Sequence, residues 1–457
     1  MSIEEANGDA HISGYLASRF PAEAGNGSRT NVARTPGLAV EPGDRLDVLR
    51  RATGRWNQSV LWHDEALLLF STALPGTAPF SRVERIDPLT LETIVASPSL
   101  ATGGHIWEGG CLAHRNGDIY VVTGCFLYRL NRALELVGQM EMPTTRPYDS
   151  IVAMDDGRLI VKDIQPSGTT SRFTVVDAED LSTVMELPIP EATLGKCCVS
   201  GDDIYAPGDY SIFRFRYRRS KLSRDTSWTG RYRTGNDGHG HCSDLTVGGG
   251  YVWVHDNADT DEMVALLQAD PVGSVTPDGA FHQSFRTPLR LHRFSTTNAS
   301  DHVSIEPFMF AGWPAAGPTY VAEHGIVLTF DSLNGGLAAH RVADDGSMRE
   351  LWQFPIRTRW QPLVYADTGE VVVDDVLLFD DDSIVVLDLF TGRQKARIRS
   401  GTAMPSTGRP TPGAGRDLYY VSSPSIARVA LLPGPGWGPP TPLTSPPLSP
   451  PLPPPMW

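Results

Sequence analysis

The sequence predicts an all-β protein, a single β-propeller of about eight four-stranded blades. Three observations predict it. Short strand-like runs punctuated by tight-turn residues recur at about 40–45 residues, the length of one four-stranded blade. Helical periodicity is nearly absent over the 457 residues. The last unit, PTPGAGRDLYYVSSPSIARVAL, holds three strands and stops, while DRLDVLRRA (44–52) precedes the first full unit with nothing of its own to pair with. The N-terminal strand is therefore expected to supply the missing outer strand and close the ring, which removes the open edge that invites aggregation.

Residues 1–40 are rich in Gly, Ala, Ser and charge and carry no periodicity, so a disordered or loosely docked arm is expected. The propeller itself spans 41–432. Its clearest units contain QSVLWHDEALLLFST (58–72), GGCLAHRNGDIYVVTGCFLYRLNRALELVGQM (109–140), DSIVAMDDGRLIVKDI (149–164) and QPLVYADTGEVVVDD (361–375). Weaker units begin near Lys196, His241 and Pro314, and splitting the Lys196 unit differently would give seven blades. Asn116-Gly117, Asp156-Gly157 and Thr368-Gly369 supply the positive-φ positions that tight hairpins need. Asp87, Asp177 and Asp388 close third strands, where a short carboxylate accepts turn N–H groups. The fifth unit is long, and an insertion is expected between Asp259 and Pro288. Asp380, Asp381 and Asp382 read as a solvated turn, with Ca²⁺ as the alternative. From Pro433 the chain reads PGPGWGPPTPLTSPPLSPPLPPPMW, a polyproline II composition that builds no core. Its PxxP spacing suits an SH3 or WW groove, so a protein partner for the tail is one reading and a passive solvated tail the other.

The formal net charge is −14, which argues against a nucleic-acid binder and against docking on an anionic membrane. No apolar run reaches the roughly 18 residues of a membrane span. The N-terminus is acidic without an apolar stretch, and the five cysteines, odd in number, form no CxxC pair. Together these lead to an expected cytoplasmic location.

Units of the type DGRLIVKD…FTVVDAEDLSTV and DSIVVLDLFTGRQKARI resemble the PQQ-like (quinoprotein-type) β-propeller superfamily over roughly residues 45–432. The resemblance implies the propeller fold, in a superfamily that holds cofactor-bearing alcohol dehydrogenases as well as scaffolds and assembly factors. Those dehydrogenases carry a repeated TGxxxW; here the corresponding places read LETIV, LSTVM and GRQKA, with Trp352 in LWQF close to the pattern. Cys197-Cys198 match the vicinal pair that forms a strained disulfide against the quinone in those enzymes. Their plain reading is two small residues of an inner strand, one facing each side.

In a propeller the first strand of every blade lines the channel, so residues opening those strands converge. They are Trp56, Asn57 and Gln58; His105, Trp107 and Glu108; Arg146, Tyr148 and Asp149; Lys196; His239, His241 and Asp244; Trp313; Arg359, Trp360 and Gln361; and Arg409. Aromatic faces with a few converging polar groups suit a small-molecule pocket. Glu108, Asp149 and His241 are the candidate acid/base groups, and the remainder would bind substrate. His239 and His241 fall on one face of an extended chain. HxH without a third ligand is a weak metal signal, and no metal ligands are assigned. The arginines suit a carboxylate or phosphate. Two functions follow. One is a small-molecule site at the channel mouth, either an oxidoreductase of quinoprotein type or a metal-assisted hydrolase or lyase, with PQQ or a divalent metal as the cofactors left open. The other is a non-enzymatic scaffold binding proteins through the propeller faces and the proline-rich tail.

Overall fold

Apolar runs such as ALLLF, IYVVT and EVVV do not alternate with polar residues, and the structure shows why: middle strands are buried on both faces, between neighbouring blades. Outer strands such as Leu136–Glu141 and Gln394–Arg399 have a solvent side and alternate accordingly. The structure, a computed structural model, describes residues 14–74, 77–105, 109–165, 168–258, 283–376, 382–401 and 409–432. Its sheets form eight four-stranded blades in a ring. Their first strands, in chain order, are Trp56–His63, Gly110–Ala113, Tyr148–Ala153, Cys198–Ser200, Thr246–Gly248, Thr319–Val321, Leu363–Tyr365 and Pro410–Pro412. Blade 8 is completed by Arg45–Ala52, antiparallel to Ser425–Leu432 in unbroken register from Arg45↔Leu432 to Ala52↔Ser425. The ring is thus closed by its N-terminal strand, and the count is eight.

The core lies between blades. One apolar cluster joins Val60 and Trp62 of blade 1 to Leu363 of blade 7 and Leu418 of blade 8. The turn chemistry follows the sequence. Leu89 and Thr90 each donate a backbone N–H to Asp87 Oδ1 at 2.8 Å, and Phe390 and Thr391 donate to Asp388 at 3.1 and 2.9 Å. Gly117 and Gly157 take φ of 88° and 86°. Trp352 of blade 6 donates its indole N–H to Leu389 O at 2.9 Å, so this tryptophan docks on the turn of the next blade.

Two expectations are corrected. Residues 14–40 are not a loose arm. Phe20, Leu38 and Val40 are 2%, 0% and 3% exposed and belong to the core. Ala24, Arg29, Asn31 and Ala39 hold left-handed backbone at φ 50–57°, which persists only when surroundings enforce it. Asp382 is not solvated: it is fully buried and accepts the Tyr420 hydroxyl at 2.9 Å. In blade 5 the second strand ends at His255 and the third begins at Leu291. The predicted insertion falls largely on residues 259–282, outside the described residues, as do residues 1–13, Asp380, Asp381 and the proline-rich tail.

Candidate functional site at the mouth of the channel

Each first strand turns an unpaired edge toward the channel, and buried backbone groups require partners. Residues 14–40 provide them. The arm enters beside the blade 2 and 3 hairpins, where Leu16 N–H donates to Ala113 O at 2.9 Å. It rises to an apex at 23–31, then descends as a short parallel pairing of Val32 and Ala33 with Val364 and Tyr365. Along this path Trp62, Ala113, Val199, Val247 and Val364 donate their N–H groups to Phe20, Pro21, Gly27, Ser28 and Asn31 carbonyls at 2.8–3.1 Å. Blades 1, 2, 4, 5 and 7 therefore grip the arm through its backbone. Gly25, at φ 86°, makes the apex bend against the Phe20 ring.

At the apex several predicted residues do converge, around a side chain the sequence did not single out. Lys196 Nζ lies 2.5 Å from Glu23 Oε2, and Arg409 Nη1 lies 3.0 Å from Glu23 Oε1. Arg29 bridges Glu23 at 3.0 Å and Asp244 at 2.7 Å. The Arg409 guanidinium stacks 4.3 Å from the Trp360 ring centroid. Gln361 donates to Arg29 O at 2.7 Å and Pro318 O at 2.8 Å. Asp149 sits beside Lys162, itself fully buried, at 3.4 Å. Burial alone would raise the Glu23 carboxyl, but Arg409, Lys196 and Arg29 hold it far below the ordinary carboxylate range. For Asp149 burial wins over the two lysines and pushes it up to about 6. Cavities lined in part by Glu23 lie beside it, one reaching Asp149 and Cys197 and the other Asp244 and Arg409.

Other predicted residues serve the ring instead. Asn57 donates to Ser422 O and Ser425 O at 2.8 and 2.9 Å, tying blade 8 to blade 1, and Gln58 donates to Thr72 at 3.0 Å. Trp56, at the head of the same strand, is half-buried. Tyr148 is 0% exposed in the core between blades 2 and 3, and Trp313 packs on Phe285 and Leu333. A recurrent aspartate at the end of the second strand accounts for several more. Asp163 receives Arg146 at 3.0 Å, Asp331 receives Trp313 N–H at 3.2 Å, and Asp374 receives Arg359 N–H at 3.1 Å. Asp256 is met by His239 at 3.0 Å, His292 at 3.2 Å and Arg290 at 2.5 Å. These aspartates staple the entry of the first strand to the end of the second. His241 lies in the loop before the blade 5 first strand, where its carbonyl accepts Ala258 N–H at 2.8 Å. It does not line the cavity that Asp149 lines. Trp107 and Glu108 lie outside the described residues.

Asp374 yields a pH prediction. It is buried, and burial pushes it up to about 7. A carboxyl so raised stabilises the fold below its unfolded value of about 3.9, and that contribution is lost as pH rises to 7. Asp374→Asn, which never ionises, is expected to gain on the wild type by about 1.4 kcal/mol per pH unit across that window and then level off. Urea melts at pH 5 and 8 check it; a difference independent of pH defeats it.

These features define a class: a closed eight-bladed propeller with its channel filled by its own chain. In fold it is similar to solved quinohemoprotein and BamB structures. The chain is similar to quinohemoprotein alcohol dehydrogenase from Comamonas testosteroni, at 12% identity and TM-score 0.59 over 93% of this chain and 82% of that one. It is similar to BamB from Moraxella catarrhalis, at 12% identity and TM-score 0.53 over 84% and 98%. A computationally designed protein aligns at 9% identity and TM-score 0.56 over 84% and 98%. At such identities the likeness is one of fold alone. No protein-family model matches the sequence, and no curated protein matches it.

The residues present do not fit PQQ. Cys197 and Cys198 are free thiols that face opposite sides, one in the cluster between blades 3 and 4 and the other between blades 4 and 5. Phe20–Asn31 lie along the inner strands, and Glu23 takes up the cations Lys196 and Arg409 there. Nor do three His, Cys, Asp or Glu side chains converge on a metal position among the described residues. A thiol count checks the cysteine assignment. All five cysteines are buried and free. An aromatic disulfide reagent is expected to find no fast-reacting thiol in native protein and five after denaturation; three after denaturation would mean a disulfide.

Proposed function

We propose that this protein is a non-catalytic scaffold that binds partner proteins through its propeller faces and its proline-rich tail. One observation carries the reading. The channel mouth, where a propeller's ligand site lies, is occupied by the chain itself, and the cations predicted to hold a substrate hold Glu23 instead. The five free cysteines support a reducing compartment, the cytoplasm, as its location. Native mass spectrometry of purified protein tests the reading. The scaffold should carry the mass of the polypeptide alone, and a retained organic cofactor or metal would count for the enzyme. In a capture experiment, removal of residues 433–457 should abolish binding of a proline-recognising partner such as an isolated SH3 or WW domain. Lys196→Met should leave that binding intact. The opposite pattern overturns the assignment.

A further inference from the structure

The arm meets the propeller as a peptide ligand meets a receptor. Its backbone carbonyls take N–H groups from five first strands, contacts that specify extended chain and not sequence. Side chains add sequence: Phe20, Leu38 and Val40 pack into the core, Arg29 pairs with Asp244, and the Glu23 carboxylate sits between Lys196 of blade 4 and Arg409 of blade 8. The flanking residues Ala22 and Ala24 are small and buried. The bridge Ala22↔Leu112 and the pairing of Val32 and Ala33 with blade 7 are strand additions to exposed inner edges. The arm is also separable from ring closure, because the strand that completes blade 8 begins only at Arg45.

We propose that the channel is a binding groove for an extended polypeptide bearing an acidic side chain between small residues, and that residues 14–40 are its resident occupant. A partner segment of that chemistry enters by exchange, one strand replacing the other. This rests on the scaffold reading and names the partner class for the channel. The cis arm competes at the millimolar effective concentration of a short tether, so free peptide does not displace it from the wild type at micromolar levels. Weakening the arm at Glu23 removes that advantage.

The probe is a fluorescent synthetic peptide of residues 14–40, added to full-length Glu23→Ala and followed by anisotropy. Glu23→Gln, which keeps the side-chain shape, is the second host should the alanine variant not fold. The expected result is saturable micromolar binding to the variant, at least tenfold weaker wild-type binding, and at least tenfold weaker binding of a peptide with alanine in place of its glutamate. No binding to a folded variant up to 1 mM overturns the proposal. So does binding that ignores the glutamate, or wild-type protein binding as tightly as the variant. Any of these leaves the tail-dependent capture, and with it the scaffold reading, standing.

Discussion

A chain beginning at residue 41 is expected to fail to reach a packed native state, although it keeps every strand of all eight blades. The arm buries Phe20, Leu38 and Val40 almost completely. At about 1.5–3 kcal/mol for each large apolar side chain, those three alone account for roughly 5–9 kcal/mol of burial. That is comparable with the whole stability of a typical folded domain, about 5–15 kcal/mol. Truncation also strips partners from the N–H groups of Trp62, Ala113, Val199, Val247 and Val364, which then face one another across a narrow channel. Near-UV circular dichroism and a thermal melt provide the check. The truncated chain should show weak aromatic signal and a broad transition at far lower temperature. A sharp melt within two or three degrees of the full chain would mean that the arm contributes nothing, as its composition suggests.

The contrast between that composition and that role marks where sequence reading stops. The blades were legible because their signals are local. Asn116-Gly117 and Asp156-Gly157 turn hairpins, and Asp87 and Asp388 cap third-strand turns with side chains two or three residues from their partners. Ring closure was legible from an unpaired strand at one end and a missing one at the other. The arm was not, because it binds through carbonyls and small residues, and neither leaves a periodic side-chain pattern. Lys196, Asp149, Gln361 and Arg409 were found by their position at strand entries. Their partner Glu23 lies 173 residues from Lys196 in sequence and in a segment without pattern. A missed signal was present, however. The second strands of four blades end LIVKD, YVWVH-Asp256, IVLTFD and EVVVDD, and the recurrent aspartate is the staple that engages Arg146, His239, Trp313 and Arg359. A residue repeated at one structural position in several blades serves the repeat. A residue that occurs once, as Lys196 does, is the better guide to a site.

Glu23→Ala is expected to cost about 3–5 kcal/mol at pH 7, the loss seen when one member of a buried ion pair is removed. Here one carboxylate answers two blade cations and Arg29, and without it these largely buried cations lose a charge partner. The charge origin of the loss has a pH signature. The Glu23 carboxyl is held far below its unfolded value of about 4.3, so its stabilisation is complete above that value and fades as pH falls below it. Denaturant midpoints of wild type and variant should therefore lie far apart at pH 7 and draw together at pH 3. A double substitution supplies the second arm of the argument. Lys196→Met removes one of the stranded cations, so Glu23→Ala combined with Lys196→Met should be less damaging than the sum of the two single changes. If the loss at pH 7 persists undiminished at pH 3 and the two substitutions add, Glu23 acts through packing alone. The mouth of the channel would then be a plug held by shape, and not a cationic seat filled by the chain's own carboxylate.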